Sequence, residues 1–244
     1  MAGTIAIGVQ DFGELISNNC FYIDKTSFIK EWWDNMDSVT LITRPRRFGK
    51  TLTISMLERF FSIQYYNEST IFEHLDIWKY PEYREIMGTY PAMERGLMTG
   101  ITRVSKESIF SDLNNMEVVT TTSVKYADVY GFTEDEVFSA LDEYGLSDIK
   151  DKVKRWYDGF LFGNSKDIYN PWSIINLLDK KQLGTYWANT NANGFIAKLI
   201  QEGDRNIKQL FETLLKGESI VCEIDEQIIY NQLSINDNAI WSLL

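Results

Sequence analysis

The residues of this chain best suited to chemistry lie together, in Thr43-Arg44-Pro45-Arg46-Arg47-Phe48-Gly49-Lys50-Thr51. A Gly-Lys-Thr triplet between a strand and a helix has the form of a phosphate-binding loop. Gly49 allows the main chain to approach an oxyanion without a Cβ clash. Lys50 offers a point charge to the β- and γ-phosphates of a nucleotide, and the Thr51 hydroxyl offers a ligand to Mg²⁺. Unpaired N–H groups at the start of the following helix would complete an anion site. The usual spacing, G-x-x-x-x-G-K-[ST], has a glycine where Arg44 stands. Pro45 also withholds one N–H. Arg44, Arg46 and Arg47 supply positive charge in place of that geometry. The competing reading is a basic turn that holds no ligand.

Such a loop needs a rigid frame. Before it, Val39-Thr40-Leu41-Ile42 reads as a buried strand. After it, Leu52, Met56 and Phe60 recur at i+4 spacing, with Ile54, Leu57 and Phe61 beside them, which predicts a helix. Upstream, Asp24 or Thr26 is placed to cap a helix running to about Asn35 through Phe28, Ile29, Trp32 and Trp33. Residues 65–95 hold no continuous apolar run long enough for a buried parallel strand. Leu97-Met98-Thr99-Gly100-Ile101-Thr102 is the next candidate strand, ending at Arg103. Thr133 and Glu136 form a capping-box pair that opens a helix through Phe138, Leu141 and Tyr144. Further helices are predicted near 147–157, from Pro171 onward, and near 193–202 and 205–216. The fold class expected is therefore α/β: an incomplete parallel-sheet core over residues 1–125, then a mainly helical region over 126–244.

Composition narrows the functions. A hydrophobic content of 44% with 14% aromatic residues is that of a globular chain. The net charge of −11 opposes sequence-independent binding to nucleic acid, which needs a broad basic surface. Against that acidic background the basic cluster at 44–50 suits an anionic ligand held at one spot. One histidine, His74, and two cysteines, Cys20 and Cys222, leave no basis for a zinc site or a histidine-based triad. No apolar run reaches the ~18 residues of a membrane span, and Met1-Ala2-Gly3-Thr4 does not open a signal peptide. A cytoplasmic protein with free thiols is expected.

Several blocks together resemble one family, the AAA-ATPase-like family of bacterial P-loop proteins. They are Tyr22-Ile23-Asp24-Lys25-Thr26, Thr43–Thr51, Thr99–Ser111, Leu113-Asn114-Asn115, Gly131-Phe132-Thr133, Trp156–Phe160 and Tyr169–Ser173. The resemblance runs through nearly the whole chain in the family's order, and it makes the Arg-Pro-Arg-Arg-Phe-Gly-Lys-Thr form a family trait. It implies ATP and Mg²⁺ as ligands, held by Gly49, Lys50 and Thr51, with Arg44, Arg46 and Arg47 as phosphate or loop-stabilising partners. It implies a sensor role near the γ-phosphate for Arg103, against a salt bridge to a carboxylate such as Glu107. Asp24, Lys25 and Thr26 would contact adenine or ribose, against a helix-capping role. Trp156, Tyr157, Tyr169 and Trp172 read as packing residues of a helical lid.

The resemblance also marks a gap. The family's Walker B strand, ending in Asp-Glu-Tyr-Asp, has no counterpart here, and Gly88-Thr89-Tyr90-Pro91 runs on into Ala92-Met93-Glu94-Arg95. Its carboxylates would hold Mg²⁺ and orient the attacking water. Ile220-Val221-Cys222-Glu223-Ile224-Asp225-Glu226 imitates such a strand but lies far downstream and reads as an edge strand with an acidic end. The apolar run Ala239–Leu244 ends the sequence where the family continues. Family members often carry a nuclease-like domain further on, and its pattern is not found in this chain. The expectation is an ATP-binding protein with impaired hydrolysis. The alternative is a non-catalytic remnant that acts through a protein partner or self-association.

Overall fold

The computed structural model describes residues 3–90, 95–101, 115–187, 199–222 and 240–241. The chain divides into two compact units, Met1–Thr99 with Asn115–Asn189, and Gly100–Asn114 with Thr190–Leu244.

The first unit is built on strand β1 (Val39–Thr43). It occupies the centre of a three-stranded sheet, between β2 (Gly96–Gly100) and β3 (Met116–Val119). β1 and β3 run parallel, in a register that sets Val39 against Met116 and Ile42 against Val119. Leu41 and Ile42 are buried, as the apolar run predicts. Thr40 is buried too, and its hydroxyl accepts the Trp32 indole N–H at 3.1 Å. That bond satisfies a polar group that would otherwise be costly in a core.

Helices α1 (Phe12–Ser17), α2 (Ser27–Asp34) and α3 (Lys50–Phe61) belong to this unit. α3 buries Thr53, Met56, Leu57 and Phe60, the face set by the i+4 pattern. The core around it is largely aromatic. Phe12 stacks on Phe72, and Phe60 meets Phe72 edge to face, both at 5.2 Å between ring centres. The weakly patterned stretch after α3 folds as short 3₁₀ turns at Ile63–Tyr65, Ser69–Phe72 and Asp76–Lys79, then helix α4 (Pro81–Arg84). His74 is exposed in a turn there.

The unit continues with α5 (Glu134–Glu143), α6 (Lys150–Tyr157), a hairpin of β4 (Phe160–Phe162) and β5 (Ser165–Ile168), and α7 (Pro171–Lys180). The Thr133–Glu136 capping box is formed in both directions. α7 begins at Pro171, with the Asn170 side chain accepting the Ser173 N–H at 3.1 Å. Val137, Leu141, Val153, Ile174 and Leu177 form a second apolar cluster. The hairpin is an addition to the mainly helical expectation. Strand β3 was likewise not singled out in the sequence.

In the second unit, α8 (Arg205–Leu215) is capped by Asp204, whose carboxylate accepts the Ile207 N–H at 2.8 Å. Ile207, Ile240 and Trp241 are buried together in a local core. Arg103, most of the expected 193–202 helix and the acidic end of 220–226 lie outside the described residues. Among the described residues no helix is long and apolar enough to cross a membrane.

Candidate functional site

The loop between β1 and α3 leaves the C-terminal end of a parallel strand, where open α/β sheets place their ligand crevices. Two residues turn the chain with positive φ: Arg47 at 70° and Gly49 at 80°. A left-handed conformation is costly for residues other than glycine and is kept where surrounding structure holds it. Around Gly49 the position a Cβ would occupy has no heavy atom within 4 Å, so the space above it is open.

Arg44 points inward. Its side chain is fully buried. One terminal nitrogen, Nη1, donates to the carbonyls of Thr43 and Thr120 at 2.8 and 2.7 Å, and Nη2 donates to that of Tyr126 at 2.9 Å. The Phe162 and Tyr130 rings lie 4.9 and 5.8 Å from its guanidinium carbon. Burial lowers its pKa to about 10, so it stays charged at neutral pH.

Lys50, the first residue of α3, folds back on its own loop. Its ammonium donates to the carbonyls of Arg44 and Pro45 at 2.9 and 2.7 Å. Burial, with the nearby charges of Arg44 and Arg46, lowers its pKa from 10.5 to about 8. Thr51 follows in the first turn and is exposed. Arg46 is exposed, and its carbonyl accepts the Trp187 indole N–H at 3.0 Å and the Asn170 amide at 3.4 Å. The Arg47 guanidinium lies 4.2 Å from the centre of the Trp172 ring. Phe48 is buried against Phe160 and Phe162. The loop is thus held by the segment from β4 to residue 187.

Two features give the loop its character. Among the described residues, none of Arg44, Arg46, Arg47 and Lys50 forms an ion pair with a carboxylate. Nor does the backbone N–H of Arg46, Arg47 or Gly49 have an acceptor among them. Among the described residues, positive charge and unbonded N–H donors thus converge on one loop of a chain whose net charge is −11.

The block at 24–26 sits otherwise. One Asp24 carboxylate oxygen accepts the Thr26 N–H and hydroxyl at 2.8 and 2.7 Å, and the other accepts the Asp76 N–H at 2.6 Å. The Thr26 hydroxyl in turn accepts the Ile77 N–H at 3.1 Å. Thr26 precedes α2 but makes no side-chain cap bond. Lys25 donates to both carboxylate oxygens of Glu136 at 2.7 and 2.8 Å, and to the Asp128 carbonyl at 2.8 Å. These side chains pin the start of α2 to the 76–77 turn and to α5.

The aromatic residues assigned to packing divide. Tyr169 is fully buried and donates to Glu134 at 3.0 Å. Tyr157 is buried and exchanges hydrogen bonds with Gly184. Trp172 serves the loop through Arg47, while Trp156 is half exposed. Thr120, Tyr126, Asn170 and Trp187 reach the loop without having been marked as site residues. Only Asn170 carried a signal, as part of the Tyr169–Ser173 block. Glu134, Asp158 and Asp167 bring carboxylate oxygens within 4.8 Å of one another. The Lys154 ammonium pairs with all three and offsets part of their charge.

This arrangement defines an α/β protein with a basic, glycine-containing turn at the end of a parallel strand. The segment of residues 6–94 matches the family described as AAA-ATPase-like, predicted AAA-ATPase. Asp24–Thr26 and the whole of Thr43–Thr51 lie within it. The chain is also 31% identical, over 108 residues, to an uncharacterized protein in the vnfD 5′ region of Azotobacter chroococcum mcd 1. The match takes in 43% of this chain, which spans 20% of the length of that relative. No solved structure matches.

Proposed function

We propose that this chain binds Mg-ATP at the Arg44–Thr51 loop and turns it over slowly. The observation that supports this reading is that, among the described residues, the cations of one strand-to-helix loop form no ion pair with a carboxylate and its Arg46, Arg47 and Gly49 N–H groups find no acceptor. Burying or crowding such charge is unfavourable unless an anion compensates it. The open space over Gly49 fits the close approach of a phosphate.

Lys50 would exchange the Arg44 and Pro45 carbonyls for phosphate oxygens. The Thr51 hydroxyl would hold Mg²⁺, which when bound supplies charge neutralisation to the phosphates. Arg46 is free to reach the same anion. Arg47 keeps its charge beside the loop while stacked on Trp172. Slow turnover follows from the stretch between α3 and β2. Its described part folds as 3₁₀ turns and α4, and offers no strand to carry the Walker B acids that the family resemblance implies. Without a positioned carboxylate, orientation of the attacking water is lost.

The test is thermal unfolding with and without Mg-ATP. At about 100 times Kd the ligand should stabilise by roughly 2.7 kcal/mol, or about 5–10 °C for a chain of this size. Lys50→Ala should abolish the shift. A folded wild-type protein that shows no shift removes the nucleotide reading and leaves the interaction-remnant reading. Robust phosphate release that disappears in Lys50→Ala would refute slow turnover alone.

A further inference from the structure

We propose that Arg44 is a positioning residue of the loop, acting through the main chain, and does not itself touch phosphate. This rests on the nucleotide reading above. The geometry separates the two roles. The side chain is fully buried, and its Nη atoms are engaged by three carbonyls from three places: Thr43 at the end of β1, Thr120 just after β3, and Tyr126 beyond it. A planar fork can serve such scattered acceptors at once, whereas an ammonium is a compact point charge on a flexible stem. The Phe162 and Tyr130 rings further enclose it.

The main chain of the same residue faces the site. Its carbonyl, with that of Pro45, receives the Lys50 ammonium. The guanidinium therefore fixes the end of β1 against β3, and the fixed backbone sets where Lys50 starts and where the following N–H groups point. Where the common phosphate loop has a glycine, this chain has a buried clamp.

The experiment compares Mg-ATP binding to wild type, Arg44→Lys and Arg44→Met by calorimetry, at a temperature where melting curves show each protein folded. A phosphate ligand acting as a point charge is replaceable by lysine, itself a common phosphate binder; a clamp that needs the planar fork is not. Both variants are expected to bind at least tenfold more weakly, with no rescue by lysine. Arg44→Lys binding within twofold of wild type overturns the positioning role, as does unimpaired binding by Arg44→Met.

If either variant does not fold, ¹⁵N NMR of the wild-type protein decides. The Arg44 guanidinium protons should be protected from exchange and should keep their resonances when Mg-ATP saturates the site. Exchange-labile protons that shift strongly on saturation would mark a direct ligand and overturn the proposal. Wild-type protein that fails to bind Mg-ATP removes the nucleotide reading and this role with it. Wild-type binding with lysine rescue removes this role only.

Discussion

Two glycines with similar backbones and different surroundings allow a controlled test of what positions the loop. Gly49 and Gly131 have φ of 80° and 92°. A Cβ at Gly49 would meet nothing within 4 Å. A Cβ at Gly131 would lie 2.5 Å from Ile168 Cγ2 and 3.1 Å from the Phe48 ring. Alanine at either site carries the left-handed strain, about 1–3 kcal/mol. At Gly131 it also overpacks β5 and a loop side chain, which adds about 1–3 kcal/mol. Urea unfolding should therefore place Gly131→Ala below Gly49→Ala by about 1–3 kcal/mol. The difference should shrink in an Ile168→Ala background, where the clashing methyl is gone, as a double-mutant cycle would show. Equal losses at the two glycines, or no coupling to Ile168, would refute the claim that Gly131 is required by the approach of β5 and Phe48. Because Phe48 belongs to the loop, Gly131→Ala should also weaken Mg-ATP binding in protein that remains folded.

Other expectations follow from single sites. The folded pKa of Lys50, about 8, lies below its ordinary 10.5. Between those values the unfolded chain holds the proton and the folded chain does not, so ligand-free stability should rise with pH across that window. Affinity for Mg-ATP should fall as pH rises through the folded value, by about tenfold between pH 7 and 9 if binding requires the ammonium. Calorimetry should show that fall removed in Lys50→Arg; an equal slope in both proteins would refute it. Thr133→Ala breaks the capping box of α5 and should cost about 1 kcal/mol in urea unfolding.

Much of the frame was readable from residue order, for identifiable reasons. β1 is a short run buried on both sides, and α3 repeats its apolar residues at helical spacing, so each element is specified locally. The capping box of α5 and the Asn170-Pro171 start of α7 are likewise local signals with one geometry each. β3 was missed because Met116-Glu117-Val118-Val119 is a strand by virtue of its partner: its register against β1 supplies what its own sequence lacks. The β4–β5 hairpin was missed in the same way, its two strands being three and four residues long. At the site, the spacing picked out Lys50 and Gly49 but could not say that Arg44 faces inward, since two of its three acceptors lie 76 and 82 residues away. Trp187 and its bond to the Arg46 carbonyl, 141 residues distant, had no signal at all.

The inward fold of Lys50 has a thermodynamic consequence. The loop is ligated from within, the chain's own ammonium satisfying the Arg44 and Pro45 oxygens. On the proposed reading a phosphate would have to displace that internal competitor, so what Lys50 contributes to affinity would be the difference between two sets of bonds. Anions of low charge gain little from the exchange, whereas a polyphosphate gains from several contacts at once. On the proposed reading the resting contact would act as a threshold, favouring ligands that carry several negative charges over the single ones abundant in any solution.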